Sequence, residues 1–160
     1  MAESLLVTDS SPLIGLARIN RLEILRRLEF DVVVPDAVWH EVTSLRRPGA
    51  AEVAAATWIR VLTPEPRAVA ALRVLVGEGE AGAIALAQAH PNCLLLADDS
   101  RARRVAKHLG LRFTGTLGVL RRAKEAGLLD VLRPEVEALR SHGLFLAPAL
   151  AERFLKEIGE

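Results

Sequence analysis

The chain has 160 residues, the size of one ordinary domain and too few for two full cores, so residues 1–160 are expected to fold as a single unit. At 51% hydrophobic against 26% charged it has apolar surface enough for a core and is not a disordered segment, while a 4% aromatic share without tyrosine disfavours recognition by ranks of stacked rings. The net charge of +1 points to no polyanion by itself, and the lone Cys93 excludes an intrachain disulfide or a cysteine-built zinc site.

In chain order, residues 5–9 (LLVTD) form an apolar strand ending in a carboxylate. Ser10-Ser11-Pro12 then supplies an N-cap pair with proline at the first helical position, and Leu13, Ile14, Leu16, Ala17 and Ile19 follow at helical spacing. Residues 21–28 read as a short helix, Val32-Val33-Val34 as a buried strand stopped by Pro35, and 36–45 as a helix. A third strand is expected over 58–62, then helices over 67–76 and 80–90 separated by Gly77-Glu78-Gly79. Residues 93–97 (CLLLA) are the clearest strand and run straight into Asp98-Asp99. A helix over 100–109 carries Arg101, Arg103, Arg104 and Lys107; residues 112–114 are a last strand and 116–126 another helix. The stretch 129–158 reads as a helical hairpin broken at His142-Gly143, with Pro148 opening its second arm. No apolar run approaches the roughly 20 residues that span a bilayer, and strand-like sequence begins by Leu5, so a cytoplasmic protein without membrane segment or signal peptide is expected.

Short, continuously apolar strands alternating with helices indicate an α/β fold, a parallel sheet covered on both faces. Right-handed crossovers put all the C-terminal strand ends on one edge, where such sheets bind ligands. Asp9 and Asp98 both close strands at that edge. Glu41 lies in the helix after the second strand, and Glu80 opens the helix leading into the Asp98 strand. These acids stand 32, 39 and 18 residues apart, so only folding brings them together. Each has an ordinary explanation: Asp9, Asp98 or Asp99 as helix caps, Glu41 as a solvated residue, Glu78 and Glu80 as acids suited to a helix N-terminus. A cluster of four, however, repels itself and calls for a cation, and carboxylate oxygens suit Mg²⁺ or Mn²⁺. Lysine occurs only at 107, 124 and 156, so eighteen of the 21 bases are arginine. Arginine forks suit phosphate binding, although GC-rich coding produces the same bias.

The blocks TDSSPLIGLARI, VVVPDAVWHEV, GEAGAIALA, LLLADDSRARRVAKHLGL and GTLGVL, in that order over roughly residues 4–158, resemble a PIN-domain protein. The likeness is to a prokaryotic PIN-like subgroup formerly of unknown function and related to VapC-type toxins. It implies a three-layer α/β/α fold with a central parallel sheet and a C-terminal helical hairpin. It further implies a Mg²⁺- or Mn²⁺-dependent endoribonuclease, the toxin of a type II toxin–antitoxin pair, with RNA as substrate, a cognate antitoxin and a homodimeric state. The resemblance assigns catalysis and metal binding to Asp9, Glu41, Glu80 and Asp98, with Asp99 beside the last and Glu78 as the other register for Glu80. Ser11 and Thr116 match supporting hydroxyls. Beside the site, Arg101, Arg103 and Arg104 read either as contacts to RNA phosphates or as a solvated basic helix face. Gly82 departs from the pattern, standing where relatives often carry a second acid.

Other candidates carry less. His40 beside Trp39 reads as a packing or surface residue, and His108 and His142 lie near helix ends, where they suit the dipole. Cys93 reads as a small buried hydrophobe, and Trp39 and Trp58 as core or dimer contacts. A receiver domain would need a late strand-end lysine, and an Asp-x-Asp phosphatase would need aspartate at position 11, where this chain has Ser11. The remaining alternative is a catalytically degenerate PIN-like scaffold or RNA-binding module.

Overall fold

The computed structural model describes residues 5–44, 46–142 and 146–160. Five strands, β1 (Leu5–Thr8), β2 (Asp31–Pro35), β3 (Arg60–Leu62), β4 (Leu94–Leu96) and β5 (Phe113–Thr114), form one sheet in the order β3-β2-β1-β4-β5. Every pairing between them is parallel. The pleat divides the apolar runs between the two faces. Leu6, Val32, Val34, Leu94 and Leu96 enter one apolar layer, and Val7, Val33 and Leu95 the other. This is why the strands read as continuously apolar rather than alternating.

Helices cover both faces and complete the three-layer α/β/α arrangement. The first layer draws core residues from α1 (Ser10–Arg18), α2 (Glu23–Arg27), α3 (Asp36–Ser44), α4 (Ala50–Ala55), α8 (Thr116–Glu125), α9 (Arg133–Ser141) and α10 (Pro148–Glu157). The second draws them from α5 (Pro66–Leu72), α6 (Glu78–Ala89) and α7 (Ser100–His108). Among the described residues no helix is long and apolar enough to cross a membrane.

Several boundaries differ from the sequence expectation, each for a local reason. Asp9 rather than a serine is the N-cap of α1, so the helix starts at Ser10. Pro12 then sits third in the first turn, where backbone N–H groups have no intrahelical partner to lose. The third strand shortens to Arg60–Leu62 because Thr57 and Ile59 donate their N–H groups to Ala55 and Ala56 in a turn. Helix α6 begins at Glu78, so both acidic residues of the Gly-Glu repeat lie in its first turn. Helix α4 has no counterpart in the sequence reading; six residues with only Ala50 and Val53 buried give too little periodicity to see. Gly143, half of the expected hairpin break, lies outside the described residues.

The last helices are tied back by one carboxylate. Glu160 accepts from the Lys124 ammonium (2.7 Å) and from the backbone N–H groups of Leu132 and Arg133, closest at 2.8 and 2.9 Å. Burial alone would raise the Glu160 carboxyl, but these donors pull it down to about 2. A carboxyl held lower when folded stabilises above its unfolded value of 4.5 and loses that contribution as pH falls toward 2. Glu160→Gln is therefore expected to cost about 1–2 kcal/mol at pH 7, roughly 2–8 °C in melting temperature for a chain of this size. Thermal melts of both proteins should converge near pH 2; a gap that persists there would mean the charge is not the cause.

Candidate functional site

The order β3-β2-β1-β4-β5 reverses between β1 and β4. The chain leaves these two neighbouring strands in opposite directions, and the crevice between is where open α/β sheets bind ligands. Asp9 follows β1 directly, and its N–H donates to Leu96 O at the end of β4 (3.1 Å). Asp98 stands two residues beyond β4. A cleft of about 900 Å³ opens at this place, and Glu41, Glu80, Asp98 and Asp99 all line it.

Each acid is held differently. Asp9 is 5% exposed and accepts from its neighbour Ser10 N–H at 2.7 Å. Glu41 is exposed on α3, and its Oε2 accepts from Ser10 Oγ at 2.6 Å. Glu80 is half-buried in the first turn of α6. Asp98 has both oxygens engaged by one residue: Thr116 N–H donates to Oδ1 (2.7 Å) and Thr116 Oγ1 to Oδ2 (2.5 Å). Asp99 caps α7, accepting from Ala102 N–H at 2.8 Å. Glu78 is exposed and does not line the cleft.

The electrostatics centre on Asp9. Burial pushes its carboxyl up, the Ser10 N–H opposes that, and repulsion from Glu80, Glu41 and Asp99 adds to it, leaving it at about 7. A glycine makes this crowding possible. A Cβ on Gly79 would sit 3.3 Å from Asp9 Oδ1 and 3.4 Å from both Glu41 Oε2 and Val38 Cγ2, so a larger residue there would crowd the two carboxylates. Among the described residues no three carboxylate, imidazole or thiol groups converge as a ready-made cage. The chemistry of the donors nevertheless suits a hard ion: carboxylate oxygens from several elements about one cleft, and a buried acid that a cation would relieve. Magnesium commonly takes one or two carboxylates directly and keeps several waters.

The structure thus brings Asp9, Glu41, Glu80, Asp98 and Asp99 to one place, with Thr116 holding Asp98. The hydroxyl that meets an acid at the start of α1 is that of Ser10; Ser11 lies exposed on the cleft wall. Gly82 is a packing position, since a Cβ there would meet the Pro35 ring carbons at 3.0 and 3.2 Å. Arg103 and Arg104 line the cleft, with the Arg103 guanidinium 5.2 Å from the centroid of the Phe113 ring. Arg101 lies instead on an adjoining recess of about 370 Å³ that shares Glu80, Asp99 and Arg104 with the cleft. Cys93 is buried, and Trp39 and Trp58 pack half-buried against the first apolar layer.

Sequence reasoning passed over Ser10, Arg18 and Arg47, all of which line the cleft. A signal existed for Arg18. Ser11, Ile14, Gly15 and Arg18 lie at i, i+3, i+4 and i+7 on α1, and Ser100, Arg103, Arg104 and Lys107 repeat that spacing on α7. The two helices present matching faces to the cleft.

A sequence model for a family described as a PIN domain matches residues 5–160. No curated protein matches the chain.

Proposed function

The chain belongs to the PIN-domain family, a nuclease-type fold, and we propose that it is a metal-dependent endoribonuclease that hydrolyses RNA phosphodiester bonds in the cleft between β1 and β4. The observation carrying this reading is the gathering of five carboxylates at the topological switch point, with Asp9 buried among them.

Asp9 and Glu41 would hold the ion directly, and Glu80, Asp98 and Asp99 directly or through water. Bound Mg²⁺ or Mn²⁺ supplies Lewis acidity, lowering the pKa of a water and neutralising charge on the phosphate. The protein's own groups do the positioning. Ser10 fixes the Glu41 carboxylate, and Thr116 fixes Asp98 from two donors, so neither reorganises when substrate arrives. Arg103 and Arg104 on the cleft and Arg101 on the recess beside it offer forks to backbone phosphates. As a toxin of a type II pair, the protein would have a cognate antitoxin that blocks this edge and would act in the cytoplasm. In a homodimer, Val131 before α9, which is 55% exposed, would be an apolar contact.

The test is cleavage of a mixed pool of structured and single-stranded RNA with Mg²⁺, with Mn²⁺ and with EDTA. Cutting that needs the metal and disappears in Asp9→Asn and Asp98→Asn is the expected result. RNA binding without cutting under every condition would replace the nuclease with an RNA-binding scaffold.

A further inference from the structure

The cations assigned so far all belong to α7, yet α1 and α7 lie in opposite helix layers and flank the same cleft. We propose that Arg18, together with Arg47, forms a phosphate subsite on the α1 side, which holds a phosphodiester of a single RNA strand flanking the one cut at the acids; this rests on the ribonuclease reading above. The Nε of Arg18 is buried and has no hydrogen-bond partner among the described residues, although the side chain lines the cleft. What separates it from the likewise unpartnered Arg21 Nε is its place on the cleft, where a guanidinium fork matches phosphate oxygens bidentately. Arg18 stands nine residues beyond Asp9, about 13 Å along the helix axis, at the far end of α1 from the acids. Its stem is also confined. Gly49 has φ +95°, and a Cβ there would meet Arg18 Cγ at 3.2 Å, so the chain two residues after Arg47 runs hard against it. With Arg103 and Lys107 on the other wall, a strand entering the cleft meets cations on both sides before it reaches the carboxylates.

The subsite is tested by fluorescence anisotropy with 5′-labelled hexauridylate on the full chain carrying Asp9→Asn, from about 50 to about 200 mM salt. Adding Arg18→Ala should weaken binding about five- to tenfold and flatten the log–log salt slope by about 0.7, one phosphate contact on a single strand. The dinucleoside monophosphate UpU has no flanking phosphate and should compete equally well against both proteins. Arg67→Ala, exposed on α5, serves as the control and should change neither. Arg18→Gln keeps the stem against Gly49 and should give the same slope as alanine, which covers the case of an alanine variant that melts early. An unchanged slope in Arg18→Ala or Arg18→Gln, or an equal loss for UpU, overturns the subsite and leaves the nuclease reading standing. Failure of the Asp9→Asn protein itself to bind hexauridylate overturns both.

Discussion

Asp9→Asn should abolish RNA cleavage and, at the same time, make the protein more stable. Positioning groups around metal sites typically contribute about 10–100-fold to activity, so loss of a direct ligand should exceed about 100-fold. The stability gain comes from charge. The Asp9 carboxyl sits at about 7 when folded against 3.8 when free, chiefly because it is buried. Between these values the unfolded chain has released the proton and the folded chain keeps it, so stability falls as pH rises through the window. Above pH 7 the penalty is complete, on the order of 4 kcal/mol. Asparagine keeps an oxygen for the Ser10 N–H and has no charge to bury, so its melting temperature should stay flat from pH 5 to pH 7 and exceed wild type at pH 8 by roughly 10 °C. Added Mg²⁺ should close that gap by stabilising the wild type alone, because a ligand that binds only the folded state shifts stability by mass action. Parallel pH profiles for the two proteins would sink the idea that Asp9 carries the strain.

The fold was legible because its strands are short, apolar and spaced by helices. Runs such as Val32-Val33-Val34 and Leu94-Leu95-Leu96 have no polar face, which a parallel sheet with helices on both sides demands. What the sequence blurred were helix starts. Ser10-Ser11-Pro12 resembles a cap followed by a first-turn proline, yet Asp9 already accepts from Ser10 N–H and takes the cap. That shift has a consequence for the site. Neighbouring helical residues point about 100° apart, and it is Ser10, not Ser11, whose hydroxyl donates to Glu41.

The acids were legible as a set because topology, not spacing, collects them. Once Asp9 follows β1 and Asp98 follows β4, adjacency of those strands decides the rest. The resemblance favours Glu80, but with Gly-Glu occurring twice running it leaves Glu78 as the other register. Two positions on a helix differ by about 200° in direction, so one glutamate faces the cleft and the other leaves it. Glu80 lines the cleft and bears on Asp9, while Glu78 is exposed. The role of Gly79 had no signal at all: a glycine chosen for the two carboxylates beside it looks in sequence like any helix-breaking residue.

Thr116→Val should separate the two aspartates that follow β4. In the folded protein one residue satisfies both oxygens of Asp98, and Thr116 is 1% exposed, so valine fills the same space without the hydroxyl. It leaves Asp98 Oδ2 without that donor, at an expected cost of about 1–3 kcal/mol. The freed carboxylate can also rotate, and cleavage should fall about 10–100-fold. Thr116→Ser restores the donor and should recover most of both. Asp99 makes the contrast, because it caps α7 through Ala102 N–H, and asparagine caps a helix about as well as aspartate. Asp99→Asn should therefore melt at or slightly above wild type, since it also removes one repulsion on Asp9, and any loss of cleavage in it reports the missing charge alone. A Thr116→Val protein that cuts RNA at the wild-type rate, beside an inactive Asp99→Asn, would make Asp99 the working acid and reduce Asp98 to a strut between β4 and α8.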